Sequence, residues 1–201
     1  MELIKAKYEI LTPINRELIL RDIELAGRTC YKSEDKITKD SAAKFINMII
    51  KRGHLSVIEH KSISVKFYID RGISHEMVRH RLSSFSQEST RYCNYSKKGI
   101  TYINMEDHFN SAETFELWLS AITHLEYVYN KMIELGESPQ IARSILPNCL
   151  KTEIVVTSNL RQWRTIFQQR TSTAAHPQMR EVMIPLLEEF KIVLPEIYGD
   201  I

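Results

Sequence analysis

Between Lys61 and Asp70 the chain alternates cleanly, with Ile63, Val65, Phe67 and Ile69 on one face. Successive side chains of a strand point to opposite faces, so this pattern fits a half-buried strand of an antiparallel sheet. The flanking segments follow the helical period instead. Asn15 to Arg28 predicts a helix with Leu18, Ile19, Ile23, Leu25 and Ala26 as its apolar stripe. Asp40 to Arg52 predicts a second, with Ala43, Ile46, Ile49 and Ile50 inward and Gly53 as its stop. Ser56-Val57-Ile58-Glu59 has the spacing of a capping box, which makes His54 to His60 a polar turn at a helix start. Arg71-Gly72 turns the chain, and Ser74 caps a short helix through Glu76, Val78 and Leu82.

The longest helix spans Ser111 to Leu135, with Phe115, Leu119, Ile122, Leu125, Val128, Tyr129 and Met132 on one side. Ser138-Pro139 starts another that runs to Leu146, Asn159 caps one that runs to Arg170, and His176-Pro177 opens the last. Pro185 should kink or break that last helix. Leu3 to Leu11 and the β-branched run Thr152 to Ser158 complete the strands. The expected class is α+β: a helix-rich single domain over residues 1–201 with a small, mostly antiparallel sheet.

Composition bears on function mainly by exclusion. A net charge of +2 over 201 residues is too small for a nucleic-acid platform or a membrane-attracted surface. No apolar run approaches the ~20 residues of a membrane helix, and Met1-Glu2-Leu3-Ile4-Lys5 lacks the architecture of a signal peptide. Cys30, Cys93 and Cys149 are odd in number and unpatterned, which points to reduced thiols in a cytoplasmic protein.

The chemistry-bearing stretch is Arg79-His80-Arg81, followed by a hydroxyl- and amide-rich segment to Ser89-Thr90-Arg91-Tyr92. Hydroxyls between guanidinium groups suit a multiply accepting anion. Lysine is absent from Arg71 to Arg91, which holds Arg71, Arg79, Arg81 and Arg91, and from Thr152 to Phe190, which holds Arg161, Arg164, Arg170 and Arg180. Selection of arginine over lysine matters where a planar, bidentate cation is needed. The bland alternative is surface ion pairing.

Metal binding fits poorly, because His75 and His80 are five apart and His54 and His60 six apart, not the i, i+4 of a helical zinc pair. Cys149 has no neighbouring base to activate it. Neither a P-loop nor a G-x-G-x-x-G occurs, so any nucleotide must be held by side chains and helix N-termini. A nucleic-acid-binding module and a metal-dependent hydrolase are the competing classes; net charge and histidine spacing disfavour them.

Arg79-His80-Arg81, seven residues, then Ser89 resembles the RHR-x7-S signature of flavin-dependent thymidylate synthases, the ThyX family. Further segments resemble that family in order: Gly53-His54 with Glu59-His60, Ala142-Arg143 leading to Leu146-Pro147, and Asn159-Leu160-Arg161 with Arg170 and His176. The resemblance implies conversion of dUMP to dTMP, with methylenetetrahydrofolate as one-carbon donor, FAD as hydride carrier and NADPH as reductant. It also implies a homotetramer whose active sites are shared between subunits.

By the same resemblance, Ser56, Arg79, His80, Arg81, Gln87, Asn159, Leu160, Arg161 and Thr165 bind FAD. Glu76, Met77, Val78, Arg79, Gln87, Glu88, Ser89, Thr90, Arg91, Arg143 and Arg170 line the dUMP site. Arg170 is the residue implied to polarise the uracil ring, and Ser89 is expected to bind the nucleotide rather than attack it. Four positions depart from the family pattern: Glu76 and Gln87 exchange the expected Gln and Glu, Thr165 replaces an Asn, and Cys30 replaces a Ser.

Overall fold

The computed structural model describes residues 1–97 and 99–201. Helices take 56% of the chain, so the sheet is the minor partner and the class is α+β. The elements run β1 (Glu2–Ile4), β2 (Lys7–Ile10), α1 (Arg16–Tyr31), α2 (Ser41–Lys51), β3 (Ser62–Asp70), α3 (Arg71–Met77) and β4 (Ser83–Gln87). They continue with β5 (Thr101–Ile103), α4 (Ala112–Glu134), α5 (Pro139–Ala142), β6 (Lys151–Asn159), α6 (Leu160–Arg170), α7 (Pro177–Val193) and α8 (Pro195–Tyr198). A four-stranded sheet has the order β2-β3-β6-β4, while β1 and β5 pair in parallel as a separate two-stranded sheet.

Residue contacts divide the chain into two compact units. The first comprises Met1–Lys7, Phe67–Arg79 and Phe85–Val155; the second comprises Tyr8–Lys66, His80–Ser84 and Val156–Ile201.

The core of the first unit is Ile100, Tyr102, Ile122, Tyr129, Ala142 and Leu150. Helix α4 supplies Ile122 and Tyr129 to it, and Ser111 caps that helix by accepting from the Thr114 amide. The rest of the expected α4 stripe is half-buried. The second unit is built on an aromatic cluster in which Trp163, Phe167, Phe190 and Tyr198 have ring centroids 5.1 to 5.7 Å apart. Such pairs contribute ~0.5–1.5 kcal/mol each beyond the area they bury. Their polar tips are satisfied, with Trp163 Nε1 donating to the Ile63 carbonyl at 3.0 Å and the Tyr198 hydroxyl to the Leu160 carbonyl at 3.2 Å.

Several local expectations change. The Leu3–Leu11 segment is two strands in two different sheets. Helix α1 runs on to Tyr31 and ends at Lys32, which takes the left-handed conformation. Its buried face is Ile19, Leu20, Ile23, Glu24 and Gly27, whereas Leu18 and Leu25 are each 52% exposed. Glu24 can be buried because Arg28 and the Ser41 hydroxyl bond its carboxylate.

In α2 the buried residues are Phe45, Ile46 and Ile49, with Ala43 and Ile50 half-buried. The Ser56 box caps nothing: residues Leu55–His60 form a 3-10 helix that starts at His54 with no side-chain cap. Asp70, not Ser74, caps α3 by accepting from the Ile73 amide at 2.7 Å, so that helix starts earlier and ends at Met77. Arg79-His80-Arg81 therefore lies in the turn between α3 and β4, past the end of the helix expected to run through Leu82, and the hydroxyl-rich segment Ser83–Gln87 is strand. Helix α7 passes through Pro185 without a break, because Val182, Met183, Leu186, Leu187 and Phe190 anchor it in the core on either side.

Candidate active site

In the second unit, the Ile63–Val65 alternation continues into β6, and Asn159 ends that strand by capping α6. Its side-chain oxygen accepts from the Gln162 amide at 2.8 Å. The cap aims the first turn of α6, and Arg161 joins His54, Leu55, Ser56 and Val57 around a cavity of about 390 Å³. Gly27, Cys30, Tyr31, Phe45, Ile49 and Gly53 complete its wall. Gly53 takes φ of +70°, a conformation that frees the chain to turn from α2 into this wall. Arg161 Nη1 donates to Glu59 Oε1 at 2.6 Å, and both side chains are well exposed. A pair of that kind contributes only about 0–1 kcal/mol, so a ligand anion could replace it.

Of these residues, the resemblance implied Ser56 and Arg161 at the flavin and marked the Gly53-His54 segment. Gly27, Tyr31 and Phe45 were missed, and the only sequence signal was a glycine inside an apolar helical stripe. A β-carbon on Gly27 would lie 2.5 Å from Cε1 of Phe45, which is 5% exposed. Gly27→Ala is therefore expected to lose about 1–3 kcal/mol by overpacking, more than the ~1 kcal/mol that helix propensity returns. Thermal unfolding of the purified variant checks this, at about 2–4 °C per kcal/mol for a chain of this size.

At the other end of α6 stands Arg170. Its Nε lies 2.9 Å from Nε2 of His80, which is 6% exposed. An arginine nitrogen can only donate, so Nε2 carries the lone pair and the imidazole proton sits on Nδ1. Burial, and then the Arg170 charge, lower the His80 pKa to about 4, so the ring is neutral at pH 7. Leu160 is buried in the core, and the Thr165 hydroxyl bonds back to the Arg161 carbonyl at 3.4 Å. His176 caps α7, its Nδ1 accepting from the Gln178 amide at 3.3 Å. Arg81 is exposed.

Arg164 departs from the ligand-binding reading of the arginine-rich segments. It is 6% exposed and holds Asp200 through two hydrogen bonds of 2.6 and 2.7 Å, with a further bond to the Ile197 carbonyl. It is a structural strut, chosen as arginine for its planar fork.

In the first unit, α3 and β4 carry the nucleotide-binding expectations. Ser74 Oγ donates to the Arg71 carbonyl at 2.8 Å, so it must accept from the side chain of Gln87, also at 2.8 Å. A second Gln87 amide proton reaches Thr152 Oγ1 at 3.3 Å. The Ser74 contact demands a donor, which an amide supplies and an ionised carboxylate cannot, and Oε1 is left as the accepting end. Met77 is fully buried, Glu76 is half-buried, and Val78 and Arg79 are exposed.

The Glu88 carboxylate is already engaged, receiving Lys151 Nζ at 3.1 Å and the Tyr95 hydroxyl at 2.8 Å. Burial, and then that bond to Glu88, push the Tyr95 pKa well up, so the phenol remains a donor. No local sequence pattern links Lys151 and Tyr95 to Glu88. Buried Thr90 accepts from Arg143 Nη1 at 3.2 Å, and Arg91 grips Gln140 Oε1 through Nε and Nη2 at 3.3 and 3.1 Å. The motif's distal end and the Pro139–Arg143 segment thus form one basic surface.

Ser89 Oγ accepts from the Arg91 amide at 3.3 Å, and among the described residues no histidine or carboxylate bonds it. It lacks the base a nucleophile needs. Burial pushes the Cys149 thiol up to about 11, which keeps it protonated and inert at neutral pH. Among the described residues no cluster of three or more His, Cys, Asp or Glu could hold a metal ion, and no helix is long and apolar enough to cross a membrane.

The family model for thymidylate synthase complementing protein matches residues 18–196. The flavin-dependent thymidylate synthase of Corynebacterium glutamicum is 31% identical over 196 residues, covering 89% of this chain and 78% of that protein. Those of Corynebacterium diphtheriae and Mycolicibacterium vanbaalenii are 32% and 34% identical over 196 residues, covering 89% of this chain and 77% and 78% of theirs. With residues 18–196 matched by the family model and these relatives covering 89% of the chain at 31–34% identity, this protein belongs to the thymidylate synthase complementing protein family, that of the flavin-dependent thymidylate synthases.

Proposed function

We propose that this chain is a flavin-dependent thymidylate synthase that converts dUMP to dTMP. The one-carbon unit comes from methylenetetrahydrofolate and the reducing equivalents from NADPH. Residues 1–201 act as one catalytic domain, in a cytoplasmic homotetramer with shared active sites. The observation that carries this reading is the cavity of the second unit, where Ser56 and Arg161, assigned to the flavin from separate segments, line the same wall. Its volume lies within the ~300–1,000 Å³ of small-molecule pockets. Its lining suits a flavin nucleotide: a guanidinium, a hydroxyl and an imidazole for the polar groups, with Phe45, Ile49 and Val57 for apolar contact.

FAD supplies the hydride chemistry when bound. Ser56, Arg161, Asn159, Leu160, Thr165 and the Arg79-His80-Arg81 turn would hold it, with Gln87. The pyrimidine and its phosphate fall to Glu76, Met77, Val78, Arg79, Gln87, Glu88, Ser89, Thr90, Arg91 and Arg143. Arg170 acts on the base: a guanidinium beside N3 and its carbonyl stabilises the N3-deprotonated ring. Electron density then moves to C5, which bonds to the methylene carbon as that carbon's bond to the folate nitrogen breaks, and C5 gives up its proton to solvent, the loss that tritium release reports.

Two departures acquire a physical sense in this reading. The Gln87 amide meets two hydroxyl acceptors, and the acidic group of the pair moves to Glu76. The purified protein is expected to be yellow, with flavin absorption, and to release tritium from 5-tritiated dUMP only when reductant and folate are both present. A colourless protein that fails to take up FAD would contradict the proposal.

A further inference from the structure

Arg170 is the last residue of α6, and a guanidinium at a helix end can swing through several side-chain torsions. Polarising one edge of a ring requires that plane to be held, since a misplacement of about 1 Å can cost ~100-fold in rate. The His80 ring is buried and lies 2.9 Å from Nε, the one arginine nitrogen at the root of the guanidinium fork. A bond at Nε sets the plane of the whole group. An imidazole makes that bond without adding a negative charge.

We propose that His80 is a positioning residue, which as a neutral imidazole accepts from Nε of Arg170 and fixes the guanidinium plane for the uracil ring. The inference rests on the function proposed above, and it gives His80 a task apart from flavin contact. The low pKa of the ring, set by burial and by the Arg170 charge, keeps the acceptor available across the physiological range. His80 follows the exposed Arg79 and precedes the exposed Arg81, so in this turn the middle residue alone points inward.

Three measurements test it. At saturating FAD, which takes any loss of flavin affinity out of the comparison, His80→Ala is expected to lower kcat for tritium release by about 10- to 100-fold. His80→Gln, whose amide oxygen can accept from Nε, should recover activity to within about 5-fold of the parent. In an Arg170→Lys background, His80→Ala should cost much less than it does alone, because the shared bond is already gone. Loss of FAD with normal kcat on reloading, failure of the glutamine variant to recover, or additive losses would each overturn the assignment.

Should the alanine variant not fold, imidazole nitrogen resonances of the unmodified protein decide the matter without any turnover. A neutral ring with bare Nε2 is expected, and Arg170→Ala should raise its pKa. A proton on Nε2, or a pKa indifferent to Arg170→Ala, overturns the positioning role. If the unmodified protein shows this ring state but neither binds FAD nor releases tritium, the proposed function falls while the His80–Arg170 contact stands.

Discussion

Arg170→Lys is expected to leave flavin absorption intact and to lower turnover by roughly 100-fold or more, the range for removing one preorganised donor from a developing anion. Lysine keeps the charge but not the geometry. Its ammonium is a compact, strongly hydrated point with no plane to lay against a ring edge. It also lacks the Nε–H that reaches His80 at 2.9 Å in the parent, so the group would be free to swing. Because Arg170 does not line the cavity with Arg161 and Ser56, and lysine keeps its positive charge beside His80, flavin uptake should survive. Tritium release from 5-tritiated dUMP, measured at saturating FAD beside the absorption spectrum, separates the two. Full turnover in the lysine variant would remove the role assigned to Arg170.

Asp200→Ala is expected to destabilise the protein by about 3 kcal/mol, and Arg164→Met by less, about 1–2 kcal/mol. The order follows from which partner is left behind. Without Asp200, a guanidinium whose side chain is 7% exposed loses its carboxylate and stays in the core, the costly way to break a buried pair. Without Arg164, Asp200 is already 53% exposed and returns to water, and methionine fills the vacated space. What remains is the Ile197 carbonyl without the Arg164 donor, a loss of ~1–3 kcal/mol that packing partly offsets.

Denaturant titration of the two variants gives the ranking, and equal or reversed losses would contradict the strut. The pair also makes a pH statement. The hydrogen bonds from Arg164 hold the Asp200 carboxyl below its ordinary 3.8. A depressed carboxylate contributes stability that is fully present above that ordinary value and fades as the pH falls below it. Asp200→Asn should lack this component of acid sensitivity, which unfolding midpoints measured from pH 5 down to pH 2.5 would show.

Arg164 and Arg170 sit six residues apart on one helix, in the same lysine-free stretch, and the sequence treats them alike. Spacing says that they lie on different faces, but not which face meets the core. That depends on α7 and α8, which bring Asp200 and the Ile197 carbonyl to Arg164. The Ser56 capping box failed for a related reason. Local side-chain chemistry offered a cap, while the chain at His54–His60 took a 3-10 course with no cap bond. Pro185 was expected to interrupt α7, but burial on both sides of the proline outweighed one lost hydrogen bond.

Glu88 is the clearest limit. Adjacent to Gln87 and Ser89 in the motif, it looks like part of a nucleotide cradle, and its carboxylate is nevertheless occupied by Lys151 and Tyr95. Lys151 becomes its neighbour only through pairing of distant strands.

By itself the sequence determined the helix-rich α+β class, the buried face of β3, the helix starts near Asn15 and Ser111 and the cap at Asn159, all of which depend on residues within a few positions of one another. It also determined the family, because ordered motifs survive in one dimension. Tertiary structure alone decided that Arg164 is a strut, that α1 lends Gly27 and Tyr31 to the cavity, and that His80 meets Arg170 as a neutral acceptor. Those outcomes rest on burial and on partners scores of residues away. A buried ring's charge state and a guanidinium's plane are properties of the packed environment, which no local pattern encodes.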